Sequence, residues 1–128
     1  MIGADTNLLI RFLVRDVEEQ AEKVKNLFEK GEQFYINAVV LSEIWWVLTS
    51  VYGYSKNEFV MAMDLLLETE GVFFFNRGTV RSALADYIHS TAGFSDCLIH
   101  RINSEANLNT LTFDKKAARL ENMTYLKL

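Results

Sequence analysis

Four short apolar runs recur along this chain, Ile2 to Ala4, Phe34 to Ile36, Val72 to Phe75 and Thr110 to Phe113, each followed by residues with helical spacing. Strands joined through helices run parallel, and a parallel sheet is buried by helices on both faces. The alternation therefore predicts an α/β fold. Tyr125 to Leu128 reads as a last edge strand.

The helical segments carry one-sided apolar stripes. After a short helix through Leu13, Asp16 to Glu29 places Val17, Ala21, Val24, Leu27 and Phe28 on one face, and Gly31 closes it. Ala38 to Tyr52 reads as a single helix with a stripe of Leu41, Ile44, Trp45, Leu48, Val51 and Tyr52. Ser55 and Glu58 have the spacing of a capping box for a helix that buries Phe59, Met63, Leu66 and Leu67. Further helices are expected from Thr79 to Thr91, from Ser95-Asp96 onward, and briefly from Lys115 to Leu120.

At 128 residues, half of them apolar, the chain fits one domain over 1–128 with an ordinary core. An acid at position 5 with no basic segment before it argues against a signal peptide. Ser42, Glu43, Thr49 and Ser50 interrupt the longest apolar stretch, so no membrane segment is expected. One cysteine, Cys97, allows no internal disulfide and reads as a buried thiol in a reducing, cytoplasmic compartment.

Four carboxylates stand apart from the mixed-charge stretches: Asp5, Glu43, Asp96 and Asp114. Asp5 and Asp114 directly follow expected strands, and sites in open α/β sheets form beyond the carboxyl ends of strands. Capping is the competing explanation, because Asp5, Asp96 and Asp114 each stand at an expected helix start. Glu43 is different. It lies inside an apolar helix, off the main stripe, on the side of Val39, Trp46 and Val47.

Two ionised carboxylates 4 Å apart repel by about 4 kcal/mol at an effective dielectric near 20, so a convergent set needs a cation. Mg²⁺ or Mn²⁺ suits oxygen ligands and substrate phosphates. Zinc does not suit, because Cys97, His89 and His100 lack a paired ligand spacing. A formal charge of -4 disfavours long-range attraction of nucleic acid, yet setting these four acids aside leaves the rest of the chain neutral. Binding through metal stays open, with hydrolysis of RNA or DNA as its natural chemistry.

Met1-Ile-Gly-Ala-Asp-Thr-Asn-Leu-Leu-Ile-Arg, Val40-Leu-Ser-Glu-Ile-Trp-Trp-Val-Leu, Phe94-Ser-Asp-Cys-Leu-Ile and Leu111-Thr-Phe-Asp-Lys-Lys together resemble the PIN domain. More closely, the chain is similar to the VapC-like toxins of type II toxin-antitoxin pairs. The resemblance implies a Rossmann-like three-layer α/β/α sandwich with a mainly parallel central sheet of four to five strands. It implies a Mg²⁺- or Mn²⁺-dependent endoribonuclease, an RNA substrate, a cognate antitoxin protein and a homodimer. By matched position, Asp5, Glu43, Asp96 and Asp114 become the catalytic, metal-binding set, with Asn7 and Thr112 in supporting roles. Many relatives carry a further acid three residues before the third aspartate; here that position is Gly93, which weakens the expectation of a second metal.

Arg11, Arg77, Arg81, Lys115 and Lys116 are candidate phosphate contacts. Two other classes compete with the nuclease. A Mg²⁺-binding receiver domain would resemble a pattern with adjacent acids after the first strand, which is not evident here. A non-catalytic interaction module would use the apolar helix around Trp46.

Overall fold

The structure is a computed structural model that describes residues 1–127. It has two compact units, Met1–Phe75 and a second that begins at Asn76.

The first unit runs β1 (Ile2–Gly3), α1 (Thr6–Val14), α2 (Glu18–Glu29), β2 (Phe34–Ile36), α3 (Ala38–Trp46), a π turn (Val47–Val51), α4 (Lys56–Glu68) and β3 (Val72–Phe74). Its strands pair in parallel in the order β1-β2-β3, with Ile2 opposite Phe34 and Phe34 opposite Val72. Alternation sorts the two faces of the sheet. Phe34, Ile36, Val72 and Phe74 are buried, whereas Tyr35 and Phe73 keep 38% and 40% of their surface.

Short polar caps turn the chain from strand to helix. Asn37, directly after β2, accepts the Val40 N–H at 2.9 Å and starts α3. Ser55 and Glu58 make the expected reciprocal box, at 3.1 and 2.9 Å, and start α4. Helix α4 then delivers Phe59, Met63 and Leu66 to the core with no exposed surface. A further apolar cluster stacks Phe12 on Phe28 and Phe28 on Phe34, with ring centroids 5.0 and 4.9 Å apart. Pairs of this kind add about 1 kcal/mol beyond their buried area.

The second unit runs α5 (Arg77–Ile88), α6 (Phe94–Glu105), β4 (Thr110–Thr112), a 3₁₀ turn (Ala117–Arg119) and β5 (Met123–Tyr125). Strands β4 and β5 pair in parallel, with Thr110 opposite Met123. Helices α5 and α6 are joined by a two-pronged ion pair, Arg101 to Asp86, at 2.6 and 2.8 Å. The Thr79 hydroxyl also donates to Glu105, and Tyr87 meets Phe94 edge to face.

Six α-helices and five parallel strands among the described residues make this the α/β fold that the pattern predicts. Some bounds differ. Strand β5 begins two residues earlier than Tyr125, and Leu128, the end of the expected strand, lies outside the described residues. The helix expected from Lys115 to Leu120 is a single 3₁₀ turn. The helix expected from Ala38 to Tyr52 changes to a π turn at Val47. No helix among the described residues is long and apolar enough to cross a membrane.

Candidate active site

In the first unit, Asp5 follows β1 and caps α1. One of its carboxylate oxygens accepts the Leu8 N–H at 2.9 Å. A carboxylate has two oxygens with about four acceptor sites, so a cap leaves capacity for a further partner. The next residue, Thr6, is 91% buried by surface area, and its hydroxyl donates to Glu43 Oε2 at 2.6 Å. Thr6 thus ties Glu43 on α3 to the start of α1, directly after Asp5. Glu43 is exposed, as are Val39 and Trp46 on the same side of the helix. Asn7 is exposed in the first turn of α1 and lines a recess with Leu8, Arg11, Gln20, Lys23 and Val24.

In the second unit, Asp114 follows β4 and shapes the turn after it. Its Oδ1 accepts the N–H groups of Lys116 and Ala117 at 2.8 and 3.2 Å. The Thr112 hydroxyl oxygen accepts the Asp114 N–H at 3.0 Å and fixes the start of that turn. Asp96 is not a cap. Helix α6 begins at Phe94 with Gly93 at the cap position and no side-chain cap bond, so Asp96 lies within the first turn. It is half-buried, and burial first, then the charge of Asp114, push its carboxyl above the usual range. A carboxylate raised in this way is electrostatically prepared for a cation.

Asp5 and Glu43 therefore flank Thr6 in the first unit, and in the second the charge of Asp114 acts on Asp96. Among the described residues, no group of three or more His, Cys, Asp or Glu is gathered to enclose an ion. A cage is not what Mg²⁺ requires, since it keeps several waters and usually binds through one or two carboxylates plus substrate phosphates. Hard oxygen donors, one of them disfavoured in its charged form by burial and then by a neighbouring negative charge, fit such an ion. Cys97 is buried, and His100 is buried with its pKa lowered by burial, so neither offers an open ligand.

Among the basic candidates, Arg11 is not a waiting phosphate contact. Its guanidinium donates to Asp16, Gln20 and the Tyr52 hydroxyl. Lys115 lies over the Tyr125 ring, 5.8 Å from its centroid. Arg77 and Arg81 are exposed on α5.

Thr6 is the residue that sequence reasoning passes over, because a threonine after Asp5 reads as one more capping residue. Its signal lies only in pairing it with an acid 37 positions away. Thr6→Val keeps the buried shape and removes the hydroxyl. If Glu43 holds a metal, a partner that orients it is worth about 10- to 100-fold in activity or metal affinity, and a loss of that size is then expected in initial rates. An unchanged rate would leave Thr6 a packing residue only.

A family model described as the PIN domain matches residues 3–123. No curated protein matches the chain.

Proposed function

This chain belongs to the PIN domain family, and on that premise we propose that it is a Mg²⁺- or Mn²⁺-dependent endoribonuclease, the toxin of a toxin-antitoxin pair, acting as one PIN-like domain over 1–128. PIN domains are generally nucleases that use divalent metal ions, and PIN nucleases act on RNA. The observation that carries the reading is the family match over residues 3–123, which spans all four isolated acids; Asp5 and Asp114, each just after a strand, support it.

In this reading Asp5, Asp96 and Asp114 hold the principal metal and Glu43 orients water or helps to hold a second ion. Bound Mg²⁺ or Mn²⁺ would supply the positive charge that makes water a better nucleophile and stabilises the leaving oxygen. Glu43 has the chemistry to direct that water. Its Oε2 is occupied by the Thr6 hydroxyl, which fixes the carboxylate and leaves Oε1 as an acceptor for a water proton. The water oxygen bonds to phosphorus, the bond from phosphorus to the leaving oxygen breaks, and that oxygen takes up a proton. Thr112 supports the site by holding the Asp114 turn, and Asn7 supports it as a polar neighbour of Asp5.

A cognate antitoxin and a second copy of the chain are the proposed protein partners. The exposed Val39 and Trp46 support an association surface on α3, 66% and 58% open respectively. Exposed apolar side chains grouped on one face mark such surfaces.

Metal removal tests the reading. The wild-type protein is expected to cut RNA with Mg²⁺ or Mn²⁺, to lose at least about a hundredfold in rate with chelator, and to regain it when metal is returned. Cleavage that ignores the chelator, or RNA left intact under every condition, would defeat the proposal.

A further inference from the structure

The cluster around Arg11 lies at the far end of α1 from Asp5 and Thr6. Arg11 Nη1 donates to Asp16 Oδ1 at 3.0 Å and to the Tyr52 hydroxyl at 3.2 Å, while Nε donates to Gln20 Oε1 at 2.8 Å. The Tyr52 hydroxyl in turn donates to Asp16 Oδ2 at 2.7 Å. Four side chains from α1, the loop after it, α2 and the end of the α3 segment are thereby linked.

Tyr52 reaches this cluster because of the π turn. Its N–H donates to the Val47 carbonyl at 3.2 Å, five positions back, in place of the α-helical four. Such a turn fits one extra residue into a helix and is frequent at functional sites. At about 100° per residue, the nine positions from Glu43 to Tyr52 would set the two side chains about 180° apart on an unbroken α-helix. One inserted residue reduces the angle to about 80°. Both side chains then meet the same neighbour: Glu43 contacts Thr6, and Tyr52 contacts Arg11, each on α1.

We propose that Tyr52, Arg11 and Asp16 form a positioning clamp that fixes the rotation of α3 against α1 and so holds Glu43 on Thr6. The inference rests on the nuclease reading for its effect on rate, but not for its effect on Glu43. The Tyr52 hydroxyl is also the main influence lowering the Asp16 pKa, which keeps the acceptor ionised. The three residues touch neither metal nor substrate in this account.

Tyr52→Phe removes the hydroxyl and keeps the ring. Two readouts apply: the ¹³C resonance of the Glu43 carboxyl in metal-free protein, and cleavage of a fluorescent RNA oligonucleotide. The Glu43 resonance is expected to move in the direction produced by Thr6→Val, and kcat to fall about tenfold with KM unchanged, as for a reacting group displaced by a fraction of an ångström. Asp16→Asn should act in the same direction on both readouts. A Glu43 resonance unmoved in folded Tyr52→Phe overturns the clamp, whatever the rate. If the wild type cuts no RNA, the nuclease reading fails and the resonance alone decides the clamp.

Discussion

Asp5→Asn is expected to fold like the wild type and to cut RNA at least about a hundredfold more slowly, a loss beyond that of a partner which merely orients a ligand. The substitution separates the two duties of this residue. As a cap, Asn serves as well as Asp, and its side-chain oxygen can still accept the Leu8 N–H. As a metal ligand, Asn brings no charge. Asp5→Ala should lose both, with an added stability cost of about 1 kcal/mol for the missing cap. Thermal unfolding and initial rates with Mn²⁺ distinguish the duties. Full activity in Asp5→Asn would reduce Asp5 to a cap.

Asp96→Asn should uncouple stability from activity in the opposite sense. Burial and Asp114 raise the Asp96 pKa above 3.8, so the folded state binds this proton more tightly than the unfolded state. Stability of the metal-free wild type therefore falls as pH rises from the unfolded pKa through the raised folded value, and above that window the whole penalty remains. The variant carries no such penalty. Its melting temperature without metal should exceed that of the wild type at neutral pH, and the gap should close below about pH 4 as Asp96 in the wild type takes up its proton. RNA cleavage should meanwhile fall by at least about a hundredfold. Greater stability with lost activity is the pattern of a site strained for function. A variant that is less stable at neutral pH would instead make Asp96 a structural acid.

The fold was largely legible because its signals are local. Apolar runs mark the strands at Phe34 to Ile36 and Val72 to Phe75, the latter one residue longer than the strand formed, and the Ser55 and Glu58 spacing marks the start of α4. The misread features depend on contacts distant in sequence. Nothing between Ala38 and Tyr52 announces a π turn, since the Tyr52 hydroxyl is held by Arg11 and Asp16, more than 30 positions away. Asp96 resembled a helix cap because acids are common near helix starts, but the backbone begins the helix at Phe94 without a side-chain cap. Arg11 looked available for phosphate because its partners on α2 and after the π turn are not evident from its neighbours. The candidate acids could be selected by their isolation, whereas Thr6 required the fold to bring α1 against α3.

Asp5 and Glu43 belong to the first unit, Asp96 and Asp114 to the second, and all four are proposed to serve one metal-dependent chemistry. Titration of Mn²⁺ into RNA-free protein, followed by electron paramagnetic resonance, measures this without knowledge of the RNA target. The prediction is saturable binding by the wild type, weakened at least about tenfold in both Asp5→Asn and Asp96→Asn. Wild-type affinity retained in either folded variant would contradict it.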